Sequence, residues 1–350
     1  MNTNYRVPTG IIIKEYLDER NIDAKKLALE LQVDEKYLVK LLDGKNKLTE
    51  EIAIGLQKVL PEIAASYWLN LERKYDEYIE ETQQVVNYSK EELKEISINF
   101  KFKEVFKGLK WDLSKQATEM LKLLQIDSFD KFSGVYSKLQ VDFFQDGGEL
   151  EPIAIWINLC KEEVELQNEY IEDISYSKEN LEKNLHIFKS IAYNNNLDNT
   201  IKSCRKLCNK LGIYFVELEP ISNSKVRGAL LTYKDHPAIF ISRRFKTHDH
   251  TWFAIAHELG HLIRHYQKDD IIISLEEGSE NKKEEEANEF ARNLFMDLDK
   301  YKEFVQKGDF SSKSIELFAA KNKVVSGIVI ARLQHDGYLS MAAMNHKKSR

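Results

Sequence analysis

From residue 9 to about residue 80, apolar residues return every three or four positions in short bursts separated by turn-forming residues. That spacing predicts amphipathic helices, because positions three and four apart share one helix face. Pro8 and Gly10 open the first, IIIKEYLDER, and Asp23 is placed to cap the second, AKKLALEL. A tight turn through Gln32 and Val33 leads to DEKYLVKLLDG, which Gly44 stops. Thr49 caps EEIAIGLQKVL, and Pro61 is expected to begin EIAASYWLNLERKYDEYIEE. Leu27, Ala28, Val33, Leu38, Leu41, Leu42, Ile52 and Leu56 fall at spacings that turn them into one small core.

Residues 80 to about 200 stay helical in pattern, broken by FQDGGELEP (144–152), which reads as an internal boundary. From Gly212 the pattern changes to β-branched and aromatic runs. IYFVELEP and GALLTYKDHPAIFIS predict two or three strands, with KDHP as a turn. The strands are expected to stop at the helix TWFAIAHELGHLIRH (251–265). A Glu- and Lys-rich loop, EEEANEFARNLFM and a last amphipathic segment ending in VVSGIVIARLQHDGYLS follow, and no internal repeat is present. The expected fold class is mainly α with an α+β C-terminal domain. It comprises a bundle over 1–80, a helical connecting region over 81–190, and helices with a small sheet over 191–345.

At 350 residues, 43% hydrophobic and 31% charged, the chain has the composition of a globular protein with two or three cores. It holds no apolar run of the eighteen or more residues that a membrane helix needs, so no membrane partner is expected. MNTNYRVPTG lacks the pattern of a signal peptide, which implies a cytoplasmic location. Cys160, Cys204 and Cys208 cannot all pair, and Cys204 and Cys208, four apart, are expected as two buried small residues. A net charge of −6 argues against indiscriminate coating of nucleic acid.

Within the 251–265 helix, His257 and His261 are one turn apart and share a face, with Glu258 directly after the first. That is the mechanical content of H-E-x-x-H: two metal ligands and a general base on one turn. Trp252, Phe253, Ile255, Ala256, Leu259 and Ile263 make most of this helix apolar, so the histidine pair is expected to be buried, where it needs partners. Zinc requires a third protein ligand. His265 fails on distance, because eight residues of helix span about 12 Å whereas Zn–N bonds are about 2.0–2.1 Å. Gln267 stands where a three-histidine variant would place its last histidine.

In EEEANEFARNLF the core face is Ala287, Phe290, Ala291 and Leu294, which turns Glu284 inward and Glu285 outward, with Glu286 as the fallback ligand. Asn288 is placed to hold a ligand histidine by its second ring nitrogen. Zn²⁺ on such a set leaves a fourth position for water and lowers its pKa, and Glu258 would take the proton as water attacks a peptide carbonyl. His335 is a weak candidate for the oxyanion. His248 and His250 flank Asp249, the expected helix cap, and are expected to face solvent.

Asp23 to Gly44 fits two helices joined by a short turn, the geometry that places a second helix in a DNA major groove. Lys36, Val39 and Lys40 would face outward from that helix, followed by Lys45, Asn46 and Lys47 in the loop. The lysines suit phosphates, and Asn46 suits a base edge or a phosphate. Against this, residues 1–80 hold 12 Lys or Arg and 15 Asp or Glu. A DNA reader of this kind is expected as a homodimer.

Both ends of the chain resemble known families. PTGIIIKEYLDERNIDAKKLALELQVDEKYLVKLLDGKNKLTEEIAIGLQKVLPEIAASYWLNLERKYD resembles the helix-turn-helix of HigA-type antitoxins. ISRRFKTHDHTWFAIAHELGHLIRH, with EEEANEFA and SGIVIARLQHDGYL, resembles the ImmA/IrrE zinc metallopeptidase family. The resemblance implies a cytoplasmic regulator whose zincin-like peptidase acts on a repressor or antitoxin. It also implies zinc on His257, His261 and Glu284, with Glu258 as base. Asp297 stands where that family usually has Pro, a change expected to alter only a helix end. The alternative is a DNA-binding regulator or antitoxin without enzymatic activity, whose metal domain senses or binds a partner.

Overall fold

In a computed structural model of the chain, residues 7–85, 88–140, 149–167, 171–244, 247–275 and 282–345 are described. They form two compact units, one of Met1–Glu95 with Leu109–Leu121, the other of Ile96–Gly108 with Lys122–Arg350.

The first unit is built on α1 (Thr9–Glu19), α2 (Ala24–Leu31), α3 (Glu35–Leu42), α4 (Glu50–Val59) and α5 (Ala65–Val85). Asp23, Asp34 and Thr49 cap α2, α3 and α4 by accepting from backbone N–H groups of the first turn. Gln32, at a left-handed φ of 55°, makes the turn between α2 and α3. All eight expected core residues pack together, Val33 at the margin, around a fully buried Trp68. Pro61 does not begin α5. Residues 61 and 62 form a turn, and the helix starts at Ala65, whose N–H donates to Gln57 Oε1 at 2.8 Å. Gly10 lies where α1 meets α3, and a methyl carbon there would land on the Leu41 carbonyl oxygen.

Along the chain follow α6 (Lys90–Asn99), α7 (Phe102–Val105), α8 (Leu113–Leu124), α9 (Phe132–Val135), α10 (Ser137–Gln140), α11 (Leu150–Gln167), α12 (Lys178–Ala192) and α13 (Leu197–Lys210). Residues 144–148 of the expected internal boundary lie outside the described residues.

The second unit is organised by β1 (Tyr214–Leu218), β2 (Val226–Tyr233), β3 (His236–Ser242) and β4 (Ile272–Leu275), in the order β1-β3-β2-β4. β1 runs parallel to β3, and β2 is antiparallel to both β3 and β4. Lys234 and Asp235, with φ of 45° and 65°, make the two-residue turn of the β2–β3 hairpin. Strands therefore do not stop at the histidine-bearing helix: β4 follows it.

Every residue of β3 is buried, because both faces of the sheet are covered. Phe240 meets Trp156 of α11 on one face, while Ile239 and Ile241 join the core around Trp252 and Ile255 on the other. That second core is made by α14 (His248–Arg264), α15 (Lys282–Phe295), α16 (Leu298–Lys307), α17 (Ser312–Asn322) and α18 (Ser326–His335), with Cys204 and Cys208 buried and unpaired within it. Asp297 caps α16 through Asp299 N and Lys300 N, so its effect is indeed at a helix end. Among the described residues no helix is long and apolar enough to cross a membrane.

Candidate metal centre

The site forms where α14 and α15 pack closely against each other at Gly260. Gly260 permits this, because a Cβ there would sit 3.1 Å from Phe290 and 3.2 Å from the Ala287 Cα. One turn before Ala287 on the same face is Glu284, which the close crossing delivers to the histidines. His257 Nε2 lies 3.1 Å from Glu284 Oε2, His261 Nε2 lies 3.0 Å from Glu284 Oε1, and the two imidazole nitrogens are 2.9 Å apart. The four atoms that converge are metal-donor types, and this is the His/Cys/Asp/Glu group found among the described residues with such a spacing.

The protonation pattern fits a cation. His257 Nδ1 donates to Asn288 Oδ1 at 3.0 Å, so that in the neutral ring Nε2, which faces Glu284, is the nitrogen left to bind a cation. His261 turns Nδ1 to His265 Nδ1 at 3.0 Å, and His265 Nε2 donates to Glu286 Oε2 at 3.0 Å. Burial opposes the charged form of Glu284, but hydrogen bonds from His257 and His261, and their charge when protonated, outweigh that and hold its carboxyl at about 2. Two ring nitrogens and an ionised carboxylate, the donor set of a three-ligand zinc site, therefore face one point, and a divalent cation suits them better than shared protons.

Glu258 is fully buried beside this cluster. Its Oε1 accepts from Ser274 Oγ of β4 at 2.7 Å, and its Oε2 has no hydrogen-bond partner among the described residues. Burial pushes its carboxyl above the ordinary value, against the pull of His257 and His261. Space for it comes from Gly228 of β2, where a methyl carbon would overlap the carboxylate. The register of β2 against β4 shifts between Val226 and Gly228, and Arg227, between them, lines the same small cavity of about 40 Å³ as Glu258, His257 and Glu284. Gly228→Ala is expected to displace Glu258 and cut any hydrolytic rate at least 10-fold while bound metal stays in place, a comparison made by metal analysis beside rate measurement.

Other candidates fall differently. Glu286 serves His265, while Glu284 meets the histidine pair. Thr247, not Asp249, stands at the cap of α14. His248 is buried, 1% exposed, with Nε2 2.9 Å from the Asn194 carbonyl, so it does not face solvent. His250 lines the cavity over the metal cluster, its Nδ1 2.7 Å from Thr247 Oγ1. His335 is exposed and pairs with Asp336 at 3.2 Å. Sequence reasoning missed the roles of His265, Ser274, Gly228 and Arg227. The one available signal was His265 continuing the His257–His261 stripe. Because it orients His261 through a charged neighbour, His265→Ala is expected to weaken metal binding about 10- to 100-fold, measurable by competition with a chelating dye.

In the first unit, Lys36 and Lys40 are exposed on α3 without an ion pair among the described residues, and Val39 is exposed between them. Lys45 lies 3.4 Å from Asp43 and Lys47 2.7 Å from Asp76. Asn46 Nδ2 donates to the Tyr37 carbonyl at 3.2 Å, shaping the turn after α3.

Fold and site together define a helix-turn-helix unit and a domain built around an H-E-x-x-H helix. The family model of the IrrE N-terminal-like domain, Peptidase_M78, matches residues 208–334, from the end of α13 into α18. The chain is also 33% identical over 81 residues to the uncharacterized HTH-type transcriptional regulator YddM of Escherichia coli (strain K12), an alignment covering 83% of that protein and 23% of this chain. The chain belongs to the HTH-type transcriptional regulators and carries an IrrE-like domain of the Peptidase_M78 family.

Proposed function

We propose that the chain is a cytoplasmic regulator in which a zinc-dependent endopeptidase cleaves a repressor or antitoxin-like protein, while the helix-turn-helix directs it, as a homodimer, to DNA. Residues 1–80 would read DNA, 81–190 connect, and 191–345 form the peptidase. The observation that carries the proposal is the convergence of His257, His261 and Glu284 beside a buried Glu258 with one unpartnered oxygen. Zinc, when bound, acidifies water and polarises the carbonyl to be attacked.

The residues of the chain do the rest. Glu258 Oε2 accepts the proton of the attacking water and passes it to the departing amine, while Ser274 fixes Oε1 so that the carboxylate keeps its aim. Asn288 and the His265–Glu286 pair hold the two ligand rings in their tautomers. His250 and Arg227, both on the cavity wall, would be the donors to the carbonyl oxygen as charge builds on it. β4, at the edge of the sheet beside Glu258, offers a strand along which an extended substrate can pair. Co-expression with each gene adjacent to its own, followed by intact-mass analysis of the products, tests the reading. One neighbour should be cut only when metal is present, and uncut neighbours throughout would contradict it.

On the DNA side, Lys36, Val39 and Lys40 of α3 face the duplex, with Lys45 and Lys47 beside them and Asn46 holding the loop. Replacing Lys36 and Lys40 with Ala is expected to weaken binding to DNA upstream of its own gene. Each lost phosphate contact should also flatten the log–log salt slope by about 1, read by fluorescence anisotropy across a KCl series. Unchanged affinity and slope would remove α3 from the interface.

A further inference from the structure

The stripe of α15 that carries Glu284 and Asn288 continues four residues on to Arg292. There it meets a second, solvent-open cavity of about 430 Å³, which shares Arg227, His250, Phe253 and Asn288 with the cavity over the metal cluster. Helices α14, α15 and α18 wall it, and Phe253, Phe295, Met296 and Ile328 give it an apolar floor.

Its lining is rich in arginine. Three arginines line it against one carboxylate, Asp249, which is buried and lies 3.5 Å from His250 Nδ1. Arg332 is engaged: its Nε donates to Asp336 Oδ2 at 2.7 Å and its guanidinium lies over the Tyr301 ring at 4.8 Å. Arg292 has neither a hydrogen bond nor an ion pair among the described residues. Burial first, and the like charge of Arg332 second, press the pKa of its guanidinium below the ordinary value, against the pull of Asp336, Glu289 and Glu285. A half-buried cation beside another cation, over an apolar floor, is a place where an anion with an aliphatic stem gains on both counts.

We propose that this cavity is a side-chain subsite of the peptidase that takes a glutamate of the protein substrate, Arg292 pairing with its carboxylate and the floor covering its methylenes. The inference rests on the peptidase reading of the metal centre. Eight residues of helix separate Glu284 from Arg292, about 12 Å, and an extended chain advances about 3.3 Å per residue, so the glutamate lies within about four residues of the bond cut.

Peptide hydroxamates test it, because the hydroxamate grips the metal while the side chains probe the walls. Glu, Gln or Lys is placed in turn at each of four positions, and binding to the zinc-loaded full chain is measured by calorimetry. At one position Glu should bind about 10-fold or more tighter than Gln, the effect of a charge-assisted hydrogen bond in a half-buried site, with Lys weakest. Arg292→Gln, with zinc content checked to confirm folding, should erase that preference. Equal affinities for Glu and Gln at every position, or a preference that survives Arg292→Gln, would overturn the subsite alone. Failure of every hydroxamate to bind zinc-loaded protein would instead contradict the peptidase reading, and this subsite with it.

Discussion

Glu258→Gln is expected to abolish cleavage while leaving the metal in place. The glutamine keeps the size of the side chain and an oxygen that can accept from Ser274, so β4 and α14 remain docked. What it loses is the ability to carry a proton away from water. Loss of a positioned general base costs about 10²- to 10⁴-fold in rate. Folding should not suffer, because Glu258 is wholly buried and replacing a buried carboxylate with a neutral amide removes a desolvation cost. Single-turnover cleavage beside metal analysis and thermal melting separates these effects. A variant that still cleaves within tenfold of the parent would show that Glu258 is not the base.

Gly10→Ala should produce the largest loss of stability, and it should be confined to the first unit. A methyl carbon at residue 10 would coincide with the Leu41 carbonyl oxygen on α3, and a backbone atom cannot swing aside as a side-chain end can. α1 and α3 would have to move apart around Ile13, Leu17, Leu38 and Leu41, all buried in one core. Overpacking of this kind costs about 3 kcal/mol or more, a large share of the stability of a small helical unit. The expected outcome is a lowered melting transition and loss of DNA binding at growth temperature, with zinc content unchanged. Gly134→Ala is the control, since a methyl carbon there meets nothing within 4 Å. Equal melting of the two variants would mean that the α1–α3 crossing is not tight.

Features written in local chemistry were legible in the sequence. Asp23 and Thr49 announce helix starts because a cap needs only the next three residues, and the helical phase of Ala287 and Ala291 was enough to turn Glu284 inward. Features that depend on distant chain were not. β4 is only four residues long, IISL, too short to show an alternation of its own, and becomes a strand only by pairing with β2, some forty residues earlier. His248 looked like a polar helix start, yet the Asn194 carbonyl 54 residues away draws it inside. Gly228 read as a residue of a strand, whereas its missing side chain makes room for Glu258. His265 is too far along α14 to join His257 on one ion, and its partners, His261 and Glu286, meet it only because α14 and α15 lie side by side.

The central claim is that His257, His261 and Glu284 grip one divalent ion, and metal stoichiometry tests it most directly. Protein loaded with excess zinc and desalted should retain about one ion per chain, with Glu284→Ala retaining almost none and Glu286→Ala nearly the full amount. Zinc absent from the parent, or retained by Glu284→Ala and lost from Glu286→Ala, would contradict the account.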